Sequence, residues 1–180
     1  MHKVNISVRY AKALYAYSSA QGNEHRVYDC VNMLIMNFGK LPALASALEN
    51  PAIKREEKHQ LLVSASGKSV PAELENFFEL ILGNDRETES LRIFLSFAEL
   101  YRKRNNIHLC RVTTAVDTDS QTGKRITEAV KKATGGNVEI EKIVDPSIIG
   151  GFILEVENRM LDASISGKLK QIRKNLTVSV

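Results

Sequence analysis

The chain has 180 residues, 43% of them hydrophobic and 26% charged, which is the composition of a folded globular protein rather than a disordered one. It contains no run of about 18 apolar residues, so we expect no segment that spans a bilayer. The formal net charge of +4 is divided evenly: residues up to 105 carry +2 (14 basic, 12 acidic), and the residues after 105 carry +2 (11 basic, 9 acidic). Basic and acidic side chains are mixed along both parts, so the charges favour a solvated surface over a nucleic-acid site.

The part of the chain up to Arg104 has the hydrophobic periodicity of consecutive helices. We predict them at residues 4–19, 24–38, 41–48 and 55–66, from Pro71 onwards, and at 87–104. Gly39 is expected to stop the second helix, and Asn50-Pro51 to close the third, because the residue before a proline is pushed out of helical geometry. The last helix is apolar around most of its circumference, so it should lie at the centre of a bundle.

The first helix carries apolar side chains on two sides. One stripe comprises Ile6, Tyr10, Ala13, Leu14 and Tyr17, and the opposite side carries Val8, Ala11 and Tyr15. A single small domain covers one such face. The helix is therefore either buried all round or keeps one face for a partner, and the pattern is compatible with either stripe pointing inward.

After Asn105-Asn106 the pattern changes to the alternation of β-strands. We predict strands at 108–116 and 138–143 with a helix at 119–133 between them, and a hairpin of 152–156 and 159–162 that turns near Glu157-Asn158. The final helix, from about Ser164, places Ile165, Leu169, Ile172 and Leu176 on one face. The predicted fold class is α+β with two domains, an N-terminal helical bundle at 1–105 and a small α/β C-terminal domain at 106–180.

Three motifs have the outline of a ligand site, and each has a simpler explanation. Ser66-Gly67-Lys68-Ser69 resembles the end of a phosphate loop, but Leu62 occupies the first glycine position and the preceding segment is helical. Residues 117–128 have carboxylates at calcium-loop spacing, but Thr122 stands where that loop needs glycine, and helix capping explains the same residues. Gly150-Gly151 precedes a strand rather than a helix, which favours a structural role such as positive φ or close backbone approach.

The remaining chemistry-bearing residues are scattered. Cys30 and Cys110 each lie in an apolar run and are predicted to be buried free thiols, and the four histidines have no metal-binding spacing. No serine, cysteine, histidine and carboxylate grouping suggests a catalytic site. We therefore predict neither an enzyme nor a cofactor or metal site.

Several short motifs fall in the order and spacing of one family. They are Arg9-Tyr10-Ala11-Lys12-Ala13-Leu14, Asn50-Pro51, Glu57-Lys58, Leu61-Leu62, Asn76-Phe77 and Asp85-Arg86, followed by residues 144–151 and 162–169. The last two segments, with Asp145, Pro146, Gly150, Gly151, Asp162 and Ser164, resemble the C-terminal signature of the delta subunit of the F-type ATP synthase, which is similar to the mitochondrial oligomycin-sensitivity-conferring protein. The likeness covers nearly the whole chain. Glu157 departs from the glycine of many relatives, which leaves the hairpin turn type open.

The resemblance implies a non-catalytic stator subunit with two partners. The N-terminal domain would be a six-helix bundle on the catalytic head, with a groove between its first and fifth helices for the N-terminal helix of an alpha subunit. The candidate groove residues are Ile6, Tyr10, Ala13, Leu14, Tyr17, Phe78, Ile81 and Leu82, with Val8, Ala11 and Tyr15 as the alternative face. The C-terminal domain would bind the peripheral-stalk b subunits through Gly150, Gly151, Phe152 and Leu169.

The resemblance also implies a location and leaves an alternative. Few residues precede the Arg9 motif, which leaves no room for an organelle transit peptide, so we expect a bacterial protein held peripherally at the cytoplasmic face of the cell membrane, without direct insertion. A helical-bundle adaptor that binds another amphipathic helix is the alternative, and only the C-terminal signature argues against it.

Overall fold

The computed structural model of the chain describes residues 2–116, 128, 137–156 and 159–178, with side chains described from residue 6 to residue 174 within those ranges. The chain divides into two compact units, Met1–Tyr101 and Arg102–Val180. The first unit is helical and the second contains a small sheet, which confirms the predicted α+β class.

Six α-helices make up the N-terminal part. They are α1 (His2–Ala20), α2 (Glu24–Lys40), α3 (Pro42–Glu49), α4 (Arg55–Ser66), α5 (Ala72–Gly83) and α6 (Ser90–Arg104), and a one-turn 3-10 helix, Glu87–Glu89, precedes α6. Among the described residues no single helix is both long and apolar enough to cross a membrane, and α2 with α3, which meet at 98°, pass that test only as a pair.

The prediction that Gly39 stops the second helix is wrong. Helix α2 continues through Gly39 to Lys40, and Leu41 is its C-cap, with φ −126° and ψ 82°. Pro42 is the physical reason, because it excludes helical geometry at the residue before it and then opens α3 as a first-turn proline.

The core of the first unit contains a cluster of aromatic rings centred on α6, the helix that the sequence places at the centre of the bundle. Phe94 of α6 makes an edge contact with Phe78 of α5, with ring centroids 6.0 Å apart, and the ring of Phe38 of α2 lies 6.4 Å from the ring of Phe94. Tyr101 stacks on Tyr28 with centroids 4.0 Å apart. These edge and stacked arrangements contribute beyond the burial of their area and fix the neighbours of α6.

The second unit is built on a four-stranded sheet of order β2-β1-β3-β4. The strands are β1 (Ile107–Thr114), β2 (Asn137–Val144), β3 (Phe152–Val156) and β4 (Arg159–Asp162), and the last described element is the helix α7 (Ile165–Val178). Strands β1 and β2 are parallel, whereas β3 is antiparallel to both of its neighbours, β1 and β4. The predicted helix at 119–133 and the turn at 157–158 lie outside the described residues, apart from Glu128.

The two faces of the sheet differ in character. Cys110 and Val112 of β1 are buried on one face, packed against Val138, Ile140, Leu154 and Val156. On the other face Arg111 donates to Glu141 and to Glu155, each at 3.1 Å, so one guanidinium joins three strands. Of the two cysteines predicted to be buried, Cys110 is, and Cys30 is only half-buried.

Candidate protein-binding surfaces

The inward face of α1 combines residues from both predicted stripes. Ser7, Ala11, Leu14 and Ser18 are at most 3% exposed, and their spacing of four, three and four residues is that of one helical face. Ile6, Tyr10, Ala13 and Tyr17 lie on one flank of that buried face, while Val8 and Tyr15 lie on the other flank. Four of the five residues of the first predicted stripe, all except the buried Leu14, therefore form a lateral surface of α1.

Two contacts show that this flank faces α5. The rings of Tyr10 and Phe77 meet edge to face with centroids 6.3 Å apart, and the Asn76 side-chain amide donates to the Tyr17 hydroxyl at 3.3 Å. On the opposite flank Tyr15 instead approaches Phe97 of α6, with centroids 6.4 Å apart. The first and fifth helices are thus neighbours along the flank that carries Ile6 to Tyr17.

The outer edge of this contact is apolar and partly open to solvent. Tyr17 is 43% exposed and Leu80 is 47% exposed, and Leu80 lies one turn after Asn76 on the same side of α5. We call the α1/α5 seam the surface formed by Ile6, Tyr10, Ala13 and Tyr17 of α1 with Asn76 and Leu80 of α5. Its α1 residues are half-buried or exposed.

Half of the predicted groove residues lie in the core. Leu14, Phe78 and Ile81 have no exposed surface and Leu82 has 4%, so an incoming helix cannot reach them in this structure. The apolar stripe of α5 faces the interior of the bundle rather than solvent, and Phe78 of this stripe packs on Phe94 of α6. Leu80 is not among the groove residues that the sequence predicts. Its signal in the sequence is an apolar side chain that lies outside the apolar stripe of α5.

In the second unit the paired glycines join the last helix to the sheet. Gly151 has φ +78°, and a Cβ at this position would overlap the carbonyl oxygen of Ala163. Two backbone hydrogen bonds secure the approach: Ala163 donates to Phe152 at 3.0 Å, and Ile165 donates to Gly150 at 2.9 Å. The glycines permit close backbone approach, as their position before a strand suggests.

The rest of the C-terminal signature caps local structure. The Asp162 carboxylate accepts from the Ser164 amide at 2.8 Å, and the Ser164 hydroxyl accepts from the Gly167 amide at 2.9 Å, which caps the start of α7. The hydrogen bond from Ser164 lowers the pKa of Asp162, and the one from Ser147 lowers that of Asp145. Asp162 and Ser164 therefore position the start of α7, whereas Asp145 caps the short 3-10 helix Pro146–Ile148.

Helix α7 presents an uncovered apolar stripe. Ile165, Leu169 and Ile172 are 46%, 54% and 56% exposed, and we call these three residues the α7 stripe. Phe152 is 36% exposed, whereas Gly150 is half-buried. The exposed basic side chains Lys168, Lys170, Arg173 and Lys174 lie on the same helix. A helix of this length is marginal in water when nothing covers its apolar face, so the stripe is typical of a docking surface.

Within the described parts of the chain, no group of three or more histidine, cysteine, aspartate or glutamate residues could hold a metal ion. Residues 66–69 form an interhelical turn in which Gly67 has φ +111° and Ser69 receives hydrogen bonds from Arg26 and Cys30. The turn follows a helix rather than a strand, so it lacks the arrangement of a phosphate loop.

Comparison with known proteins relates the chain to one family. The family model described as ATP synthase delta (OSCP) subunit matches residues 6–176. "ATP synthase subunit delta" of Phocaeicola vulgatus is 38% identical over 170 residues, covering 94% of this chain and 92% of the relative. The chloroplastic "ATP synthase subunit delta" of Emiliania huxleyi is 32% identical over 170 residues, covering 94% of each chain.

A solved structure shares the fold. A chain in the cryo-EM structure of the Toxoplasma gondii mitochondrial ATP synthase hexamer aligns with a TM-score of 0.72 over 95% of this chain and 97% of its own length. Its sequence identity is 18%, so the likeness concerns the arrangement of the backbone.

Proposed function

Because this chain belongs to the ATP synthase delta (OSCP) subunit family, we propose that it is a non-catalytic stator subunit that links the catalytic head of an F-type ATP synthase to its peripheral stalk. Held at both ends, such a subunit prevents the head from turning with the rotor, so that proton-driven rotation is coupled to ATP synthesis. In a bacterial cell it would lie at the cytoplasmic face of the membrane, attached through its partners.

The observation that carries the proposal is the α1/α5 seam. Two adjacent helices leave Tyr17 and Leu80 about half exposed, and Leu80 lies one turn after the Asn76 that bonds to Tyr17, so the surface fits the apolar face of an incoming amphipathic helix. We assign the seam to the N-terminal helix of an alpha subunit. Complete burial of a large apolar side chain contributes about 1.5–3 kcal/mol, so covering the exposed half of Leu80 contributes about 1 kcal/mol.

The α7 stripe is the proposed contact for the peripheral-stalk b subunits. Leu169 is its central residue, and Phe152 lies at the start of β3, next to the turn that holds α7 to the sheet. The four basic side chains of α7 favour a partner whose apolar residues are flanked by carboxylates. Two linked sites, one in each unit, would raise the overall affinity by effective concentration without any new contact.

The test is calorimetric titration of the full chain with a peptide of about 20–25 residues from the N-terminus of the same organism's alpha subunit, a length that forms a marginally stable helix. One-to-one binding is expected. Leu80→Asp should weaken the affinity for the peptide at least about tenfold. The variant loses about 1 kcal/mol of apolar burial and in addition has to desolvate a charged side chain in the interface.

A matched control distinguishes the seam from general surface effects. Leu95 of α6 is 46% exposed, against 47% for Leu80, and is not part of the seam, so Leu95→Asp should leave the affinity within about twofold. Equal weakening by both variants would remove the assignment to the seam. A folded chain that does not bind the peptide would favour the helical-bundle adaptor instead.

A further inference from the structure

A cleft of about 540 Å³ lies in the first unit, where the α3–α4 loop meets the end of α5 and the 3-10 helix. Its walls include Leu48, Ile53 and Leu82, and its polar lining includes Glu49, Arg55, Lys58, Asp85, Glu87 and Thr88. The volume is within the range of ligand sites. Three motifs far apart in sequence, Asn50-Pro51, Glu57-Lys58 and Asp85-Arg86, converge around it, and neither the α1/α5 seam nor the α7 stripe accounts for them. We call it the bundle cleft.

Two basic side chains hold the walls of the bundle cleft together. The Lys58 ammonium lies 2.8 Å from the Glu87 carboxylate, and these side chains are only 8% and 16% exposed. Burial by itself would raise the pKa of Glu87, but the hydrogen bond and charge of Lys58, with a backbone hydrogen bond, outweigh it and lower the pKa. Arg55 donates to the backbone carbonyl of Glu79 at 2.7 Å, close to Gly83. Both cations are therefore engaged by the fold itself.

Two carboxylates remain at the rim of the bundle cleft. Glu49 and Asp85 are exposed, and neither makes an ion pair with any residue that the structure describes. Glu49 is the last residue of α3 and Asp85 follows the end of α5, so the partial negative charges of two helix C-termini add to their own. The N-terminus of α4 contributes a partial positive charge that opposes this negative charge. Two carboxylates and two helix C-termini outweigh it, so the rim as a whole favours a cation.

Lys58 also leaves donors available. An ammonium group has three hydrogen-bond donors, and the one acceptor described for Lys58 is the Glu87 carboxylate. Because Lys58 lines the cleft, its other protons can serve a hydrogen-bond acceptor on an occupant. The occupant should therefore combine a cation, an apolar stem and a nearby acceptor. A polyamine lacks the acceptor, whereas an arginine or lysine residue in a peptide has all three. Arginine fits the two rim carboxylates better than lysine does, because its planar guanidinium can donate to both of them at once.

We propose that the bundle cleft receives an arginine residue from a protein partner. The guanidinium meets Glu49 and Asp85 at the rim, the methylene stem packs on the half-buried Ile53, and a backbone carbonyl of the entering segment accepts from Lys58. The source is another subunit of the same assembly, so this proposal rests on the proposed stator function.

The first experiment measures recognition by the full chain. Isotope-labelled protein is titrated with N-acetyl-arginine-N-methylamide while the amide resonances of Gly83, Asp85 and Thr88 are followed. We expect saturable shifts with a dissociation constant of about 10 mM or tighter. The isosteric but neutral citrulline derivative, and putrescine, which has no acceptor, should each bind at least about fivefold more weakly. Equal binding by either compound, or no shift with arginine, would overturn the proposal.

Variants assign the effect to the rim. The double variant Glu49→Gln with Asp85→Asn should lose most of the arginine response, and asparagine suits the φ of +52° at residue 85 as well as aspartate does. Glu56→Gln removes an exposed carboxylate of α4 that does not line the cleft and should leave the response unchanged. An equal loss in both would show a non-specific charge effect and overturn the proposal.

The second experiment uses the assembled ATP synthase, with a photo-crosslinking residue at position 88 of this chain and, as a control, at the exposed position 56. We expect a cross-link from position 88 to an arginine-bearing segment of another subunit. A chain that assembles normally without that cross-link contradicts the cleft proposal alone. A chain that is absent from the assembly contradicts the stator function itself.

Discussion

Gly151→Ala is expected to destabilise the second unit by about 2–3 kcal/mol. A residue with a Cβ in the left-handed region costs about 1–2 kcal/mol, and Gly151 has φ +78°. The new Cβ would also overlap the Ala163 carbonyl oxygen and lie 3.2 Å from the Ser164 Cα. Backbone must move to relieve this, which weakens the two hydrogen bonds that hold the start of α7, at about 1 kcal/mol each. Lower entropy of the unfolded chain returns about 0.4–1 kcal/mol.

The assay is a urea titration of the full chain followed by amide resonances, so that each unit is read separately. The control is Gly22→Ala in the first unit, where φ is +69° but nothing lies within 4 Å of the added methyl group. It isolates the conformational cost, and we expect a loss of about 1 kcal/mol or less. If Gly151→Ala costs no more than Gly22→Ala, close backbone approach is not the reason for this glycine.

Three further outcomes are expected. Lys58→Met should destabilise the first unit by about 2 kcal/mol at neutral pH, because it leaves the nearly buried Glu87 carboxylate without its cation. The difference in stability between this variant and the parent should shrink as the pH falls through the lowered pKa of Glu87, and urea titrations at several pH values would measure it. Ellman's reagent should modify Cys30 slowly, since burial first and Asp29 second raise the pKa of its thiol, and should modify Cys110 only when the second unit unfolds; equal native rates would contradict the burial of Cys110. Arg111→Met should cost the second unit about 1 kcal/mol or less in low salt, with little difference in high salt; a loss that does not depend on salt would mean that packing, not charge, explains Arg111.

The sequence predicts the elements well wherever the local signal and the tertiary structure agree. Residues 55–66 form a helix with the predicted bounds, and Phe152–Val156 and Arg159–Asp162 form the predicted hairpin strands. The error at Gly39 shows the limit of a local rule. Glycine permits a helix to end but does not require it, whereas the proline three residues later enforces the end.

The candidate binding surface was less predictable, because exposure depends on neighbours that the sequence of a single helix does not reveal. An apolar stripe on α5 is compatible with a core and with a groove, and the packing of Phe78 on Phe94 decides for the core. On α1 the inward face includes Ser7 and Ser18, which a hydrophobic pattern does not count. The Tyr10–Phe77 and Asn76–Tyr17 contacts identify α5 as the neighbour of the remaining flank, and these are the two helices between which the family resemblance implies a groove.

The C-terminal signature and the α7 stripe are connected through preorganisation. The described side chains of α7 from Lys168 to Arg173 are exposed, so the helix gains little from packing and depends on how its first turn is anchored. That anchor consists of the Gly151 approach to Ala163 and the cap formed by Asp162 and Ser164. If the anchor did not hold α7 in place, a partner that binds the stripe would have to order the helix. The free-energy cost of this ordering would make the binding free energy less favourable. Under the proposed assignment of the α7 stripe to the stalk, the signature residues would affect that binding by determining whether Leu169 and its neighbours are already in place.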